Sequence, residues 1–290
     1  MRMRKRILLI ICAVLLLMFA GIVTVYPLIS NFLNEKYQSV VRTEYNEVVA
    51  QADDAEIQAA WAAAREYNAS LRPVHFDAEF AQIAQEDYHA LLNLAGNDVM
   101  GYVEVPKINV YLPIYHGTGA EILDDGIGHL LGSSLPVGGA GTHTILTGHS
   151  GVAGKRLFSD LDQMAVGDVF YLHILDETLA YEVTEIHTVV PYDTTYLSIE
   201  ENKDRCTLIT CTPFGVNTHR LLVQGDRIPY EEATQTQETV AETTPAASST
   251  WARQYYQGVF LGAEILAVIA VGAVLTLWAV RKRRRHHAQE

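Results

Sequence analysis

The sequence predicts a mainly β domain held between two membrane helices, and three observations predict it. Two apolar runs, residues 7–26 and 259–280, each adjoin a cluster of Lys and Arg at a chain end. Residues 99–228 break into short β-branched or aromatic runs separated by Gly, Pro and Asp. Residues 36–70, by contrast, are rich in Ala, Glu, Gln and Tyr and hold no Gly or Pro.

Residues 7–34 carry no charge, and the run 7–26 is long enough to span a bilayer as a helix. A cleaved signal peptide has a shorter apolar core and a small-x-small site. Met18-Phe19-Ala20 matches that site poorly, so the run reads as an uncleaved anchor. The second run is followed at once by Arg281-Lys-Arg-Arg-Arg285. Both basic clusters are assigned to the cytoplasm. Residues 30–257 then face outward, and the chain is a two-pass protein of the cell membrane.

The overall net charge of −13 conceals a strong asymmetry. Residues 30–257 hold 12 Lys and Arg against 32 Asp and Glu, a net of −20. So acidic a segment lacks the clustered cations that phosphate contacts need, which argues against a nucleic-acid partner. Three cysteines, Cys12, Cys206 and Cys211, cannot form a disulfide framework.

Six segments follow along the chain. Residues 1–29 are the N-terminal anchor. Residues 30–95 are helical: Val40, Val41, Tyr45, Val48 and Val49 recur at helical spacing, as do Ile57, Ala60, Trp61 and Ala64, with a break near residues 52–54. Pro73 marks a loop over 71–76, and Asp77 is a plausible N-cap for a helix over 78–94. Residues 96–230 form the β domain, with strands expected at 100–104, 109–114, 142–148, 169–174, 179–191, 206–212 and 219–228. Such spacing is that of a barrel or a sandwich. Residues 231–257 contain a Thr-, Glu- and Ser-rich tether, residues 258–280 the second helix and residues 281–290 a basic tail.

A lone cysteine at a strand end is more often buried filling than a nucleophile. Cys211 has better company. A loop with Pro213 and Gly215 separates two strands, and a return of that length can set Arg220 beside Cys211. A guanidinium there would favour the thiolate and later stabilise an oxyanion. A thiol nucleophile also needs a proton partner, usually a histidine. His149 ends a strand in a Gly-flanked turn, Gly148-His149-Ser150-Gly151. His143, His129 and His219 compete with it and read as structural. Cys206 lies five residues before Cys211, so on a regular strand it points to the opposite face.

At these residues the sequence resembles the sortases, membrane-anchored cysteine transpeptidases of Gram-positive bacteria. The resemblance rests on Thr207-Leu-Ile-Thr-Cys211, on Arg220 nine positions later and on Thr147-Gly-His149. Gly101-Tyr-Val-Glu-Val-Pro-Lys-Ile-Asn109, Leu112-Pro-Ile-Tyr-His-Gly-Thr118 and Gly128-His-Leu-Leu-Gly-Ser-Ser-Leu-Pro136 are similar to class C, the pilus-assembling subclass. The resemblance implies an eight-stranded β-barrel with Cys211, His149 and Arg220 at one rim and no metal or other cofactor. It implies as partners pilin or surface proteins bearing a Leu-Pro-x-Thr-Gly-type signal. Cys211 would attack the Thr carbonyl, His149 would protonate the leaving amine, and Arg220 would hold the oxyanion or the substrate. The acyl group would pass to a pilin Lys amine.

Class C enzymes usually carry a lid with an Asp-Pro-aromatic motif. Residues 68–80 offer Arg72-Pro-Val-His-Phe-Asp77 instead. A covering segment is still expected around 71–76, one easier to displace, and the missing motif keeps a wall-anchoring sortase as the enzymatic alternative. A sortase substrate is a further alternative, but residues 231–258 contain no Leu-Pro-x-Thr-Gly before the second helix. A catalytically dead binding module would not need Cys211, His149 and Arg220 intact.

Overall fold

The computed structural model describes residues 2–71, 88–152, 154–234, 251, 253–262 and 265. The chain divides into two compact units, residues 1–247 and 248–290. In the second, residues 253–262 are helical and the Trp251 and Tyr255 rings stack with centroids 5.7 Å apart.

The first unit is a closed eight-stranded barrel, and two long helices precede it among the described residues. Helix α1 runs unbroken over Arg2–Gln51, joining the apolar run 7–26 to the expected helix near 36. Helix α2 is Asp54–Ser70. The break between them falls where the sequence puts it, because Asp53 caps α2: its carboxylate accepts from the Glu56 N–H at 2.8 Å. Among the described residues no helix is long and apolar enough to cross a membrane. Part of the run 7–26 lies outside the described side chains, and so does most of 259–280.

The strands are β1 Val99–Val105, β2 Val110–His116, β3 Ile127–His129, β4 Thr142–Thr147, β5 Val169–Ile174, β6 Glu177–Val189, β7 Asp204–Thr212 and β8 His219–Ile228. Around the barrel they run β1-β2-β3-β4-β7-β8-β6-β5. Seven match expected strands. The eighth, β3, has only three residues, too few for a pattern to show, and it pairs parallel to β2 and antiparallel to β4. A short helix, α3 Ala120–Asp125, precedes it. The expected helix over 78–94 needs correction at its end: Tyr88 is its last helical residue, and turns follow through Leu92. Leu92 has φ 57°, left-handed backbone that a continuing helix cannot use. The expected loop at 71–76, the start of that helix and any lid contact lie outside the described residues beyond Leu71.

Both helices are fastened to the barrel by buried polar groups. The Tyr45 hydroxyl donates to the Met100 carbonyl at 3.0 Å and accepts from the Leu175 N–H at 2.8 Å. Trp61 Nε1 donates to Asp176 at 2.9 Å. Asn68 makes two bonds with the Leu135 backbone, at 2.7 and 3.1 Å. Inside the barrel, Ile114, Ile127, Leu146, Phe158, Phe170, Leu172, Leu208 and Val223 are fully buried and form one cluster.

Candidate active site

Two pairings assemble the site. In the antiparallel β7–β8 ladder, Cys211 lies opposite Arg220 and Ile209 opposite Leu222. In the parallel β4–β7 ladder, Ile145 lies beside Thr207 and Thr147 beside Ile209. Beyond the last β4 pair the register continues: the Gly148 N–H donates to the Ile209 carbonyl at 3.0 Å, and Thr210 Oγ1 donates to the Gly148 carbonyl at 2.8 Å. Gly148 is thus tied to β7 on both sides of its peptide, and His149 follows it directly. The structure therefore sets Cys211 opposite Arg220 at one end of β7 and β8, and His149 two residues past the end of the neighbouring β4.

Alternation along a strand sorts the side chains. Cys206, Leu208 and Thr210 point into the barrel and are buried, whereas Ile209 and Cys211 share the outer face. Cys206 is wholly buried and burial pushes its thiol well above the ordinary range, so it stays protonated core filling. Cys211 is partly exposed.

The loops around the site are tightly placed. His149 accepts from the Phe158 N–H at 3.1 Å through its own carbonyl, which closes the turn after β4. Gly151 has φ 76°, and a side chain there would meet the Gly215 backbone at 2.9 Å. The turn after β4 thus touches the β7–β8 loop, and only glycine allows that approach. Arg220 Nη1 donates to the carbonyls of His219 at 3.1 Å and Asn217 at 3.3 Å. Its Nε and Nη2 have no partner among the described residues and remain available to a ligand.

A cleft of about 480 Å³ opens beside the site and reaches Arg220. Its floor is Leu130, Ile145, Val189, Leu197, Ile209 and Leu222, a second apolar cluster on the outer face of the barrel. The sequence reading missed this floor. Strand β4 and most of β7 are buried on both faces, so their apolar residues do not reveal which face meets the core and which the cleft. The arrangement suits an extended apolar peptide laid over the floor beside Arg220.

The competing histidines are placed elsewhere. His143 is buried, with Nδ1 2.9 Å from the Ser198 carbonyl and Nε2 2.6 Å from Thr207 Oγ1. Those partners fix a neutral tautomer: Nδ1–H donates and Nε2 accepts. His129 is fully buried between the Tyr88 hydroxyl at 2.8 Å and the Ser134 carbonyl at 2.9 Å. Burial lowers both rings to about 4. His219 is exposed and meets Thr218 Oγ1 at 3.0 Å.

The Sortase domain family model matches residues 103–228. The crystal structure of sortase C1 from Streptococcus agalactiae is similar at 44% identity and a TM-score of 0.61, covering 65% of this chain and 98% of that one. Sortase C of Streptococcus pneumoniae, whose structure was described for catalysis and pilin substrate specificity, is 44% identical at a TM-score of 0.58, covering 66% and 97%. Among curated proteins, sortase D of Bacillus subtilis (strain 168) is 30% identical over 131 residues, which is 44% of this chain but 63% of that protein. Sortase A of Bacillus anthracis is 28% identical over 157 residues, covering 52% and 73%.

Proposed function

Because this chain belongs to the sortase family, with class C sortases as its solved neighbours, we propose that it cleaves a Leu-Pro-x-Thr-Gly-type signal and joins the product to a pilin lysine. The observation that carries the reading is the pairing of Cys211 with Arg220, which lines an apolar cleft, and the parallel β4–β7 register that leads into His149. The Leu-Pro portion of the signal lies on the apolar floor, and the Thr carbonyl carbon meets the Cys211 sulfur. As the C–S bond forms, negative charge builds on the carbonyl oxygen, where the free donors of Arg220 stabilise it. Collapse breaks the Thr–Gly C–N bond, and His149 gives its proton to the departing Gly amine. A thioester remains on Cys211. The lysine amine then attacks, His149 takes its proton, and the thiolate leaves as an isopeptide bond forms.

The same proposal places the barrel outside the cell membrane on a two-pass chain. Its support is the run 7–26 on α1, where Leu15, Leu16, Met18, Phe19, Ile22 and Val23 are all exposed, together with the basic clusters at both chain ends. Two-dimensional confinement would raise the effective concentration of membrane-held pilin and help a lysine compete with water. Protease added to intact protoplasts should digest the middle of the chain and spare the termini.

The deciding experiment is mass spectrometry of pilin incubated with the enzyme. A Thr-to-Lys cross-link is the expected product. Thr joined only to water or to a cell-wall peptide amine would assign the protein to wall anchoring, the alternative that the missing Asp-Pro-aromatic motif keeps open.

A further inference from the structure

Away from the cleft, His89, Asp98 and His116 converge where the chain enters the barrel. Their ligating atoms lie within 4.8 Å of one another. Asp98 immediately precedes β1, and His116 ends β2. His116 is fully buried, and both of its ring nitrogens face carbonyl oxygens: Nε2 is 2.7 Å from Leu91 and Nδ1 is 2.9 Å from Asp98. A neutral imidazole has one N–H, so it can satisfy one of these oxygens and leaves a lone pair facing the other. Asp98 Oδ1 lies 3.2 Å from His89 Nδ1, and the His89 and His116 rings are 5.4 Å apart. This puts two imidazoles, a carboxylate and a carbonyl oxygen around one point.

We propose that His89, Asp98 and His116 form a binding site for a divalent transition metal of the zinc class. Bonds of about 2.0–2.1 Å to a tetrahedral Zn²⁺ set neighbouring ligand atoms about 3.4 Å apart. The contacts of 2.9 and 3.2 Å already approach that spacing. The remaining closure falls to His89 and Asp98, whose side chains are each 53% exposed, while His116 is buried. Two imidazoles select a borderline metal over calcium or magnesium, which take oxygen ligands.

The surrounding backbone is shaped for the site. Asp98 has φ 61° and Leu92 has φ 57°, conformations that cost a non-glycine residue about 1 kcal/mol or more. Asn93 braces them: its Oδ1 accepts from the Asp98 N–H at 3.0 Å, and its Nδ2 donates to the His89 carbonyl at 2.8 Å and to Asp98 Oδ1 at 3.2 Å. Such outer contacts orient metal ligands. A bound ion would clip residue 89 to the edges of β1 and β2. It would be structural, since β1 and β2 lie apart from β7 in the barrel order.

The test uses the full-length chain carrying Cys211→Ala, His286→Ala and His287→Ala, which removes the reactive thiol and the tail imidazoles as competing ligands. Equilibrium dialysis against micromolar Zn²⁺ should leave one ion per chain. His89→Gln and Asp98→Asn should each weaken retention at least about tenfold. No retained zinc, or equal retention by both variants, overturns the site. X-ray absorption on the zinc-loaded parent provides a second measurement that needs no variant. Two imidazoles with oxygen in the first shell support the site, and any other shell overturns it.

Discussion

Cys211 and Arg220 face each other across the β7–β8 ladder, nine residues apart in sequence and one strand spacing apart in space. One short loop joins the two strands and sets that register. Cys211→Ala should abolish cleavage of a Leu-Pro-x-Thr-Gly peptide. His149→Ala and Arg220→Ala should each cost about 100-fold or more in kcat/KM. Arg220→Lys should recover only part of the loss, because an ammonium keeps the charge but not the planar fork. Cys206→Ala should leave the rate nearly unchanged. Steady-state cleavage of a fluorogenic peptide checks the set, and full activity in the Cys211 variant would end the assignment.

Gly148 sets where His149 begins. A methyl group there would stand 2.5 Å from Ile127 Cδ1 and 2.8 Å from Phe158 Cδ2, both fully buried. Gly148→Ala should therefore push the end of β4 outward and misplace the imidazole. The expected outcome is a roughly 10- to 100-fold drop in kcat/KM in a protein that still folds. Wild-type kinetics in this variant would show that the packing absorbs the methyl without moving His149.

Tyr45 tests how α1 is held. Removing its hydroxyl leaves the Met100 carbonyl and the Leu175 N–H buried without their partner. Tyr45→Phe should cost about 2–3 kcal/mol in urea unfolding. A loss under about 0.5 kcal/mol would mean that solvent reaches those groups.

Stability should fall in mild acid. His129 and His143 are lowered from 6.5 to about 4 by burial. Their rings take up protons more readily in the unfolded chain, so unfolding gains between those limits. Each contributes stability that is complete above about 6.5 and is lost as pH drops toward 4, roughly 3 kcal/mol per ring. Thermal melts between pH 7.5 and 4.5 should show a falling Tm, with a shallower slope in His143→Gln. A flat profile would mean that these rings titrate alike in the folded and unfolded chain.

The β texture, the helix break before Asp54 and seven strands could be read from the sequence because each rests on local chemistry: an N-cap, an alternation, a turn. Cys211 and Arg220 could be placed side by side because one short loop joins them. His149 could be singled out only by its glycine-flanked turn and a family resemblance, since its place past the end of β4 depends on pairing between distant strands. Strand β3 and the cleft floor stayed hidden for a related reason. Ile127 in a three-residue strand and Ile145 in a strand buried on both sides take their meaning from neighbours that no local pattern announces. The His89, Asp98 and His116 cluster draws on two strand ends and a turn, and no spacing motif links them.

The parallel pairing of β4 and β7 has a consequence for how the chain comes to life. Gly148 and Thr210, hydrogen-bonded at the mouth of the site, are 62 residues apart in sequence. Contacts of that separation form slowly, because the loop entropy must be spent before they return anything. During synthesis Cys211 emerges long after His149, and until the barrel closes it is an ordinary thiol with no imidazole beside it. The strands that carry the two residues are joined only when β4 and β7 pair, so the site waits on the barrel's long-range contacts.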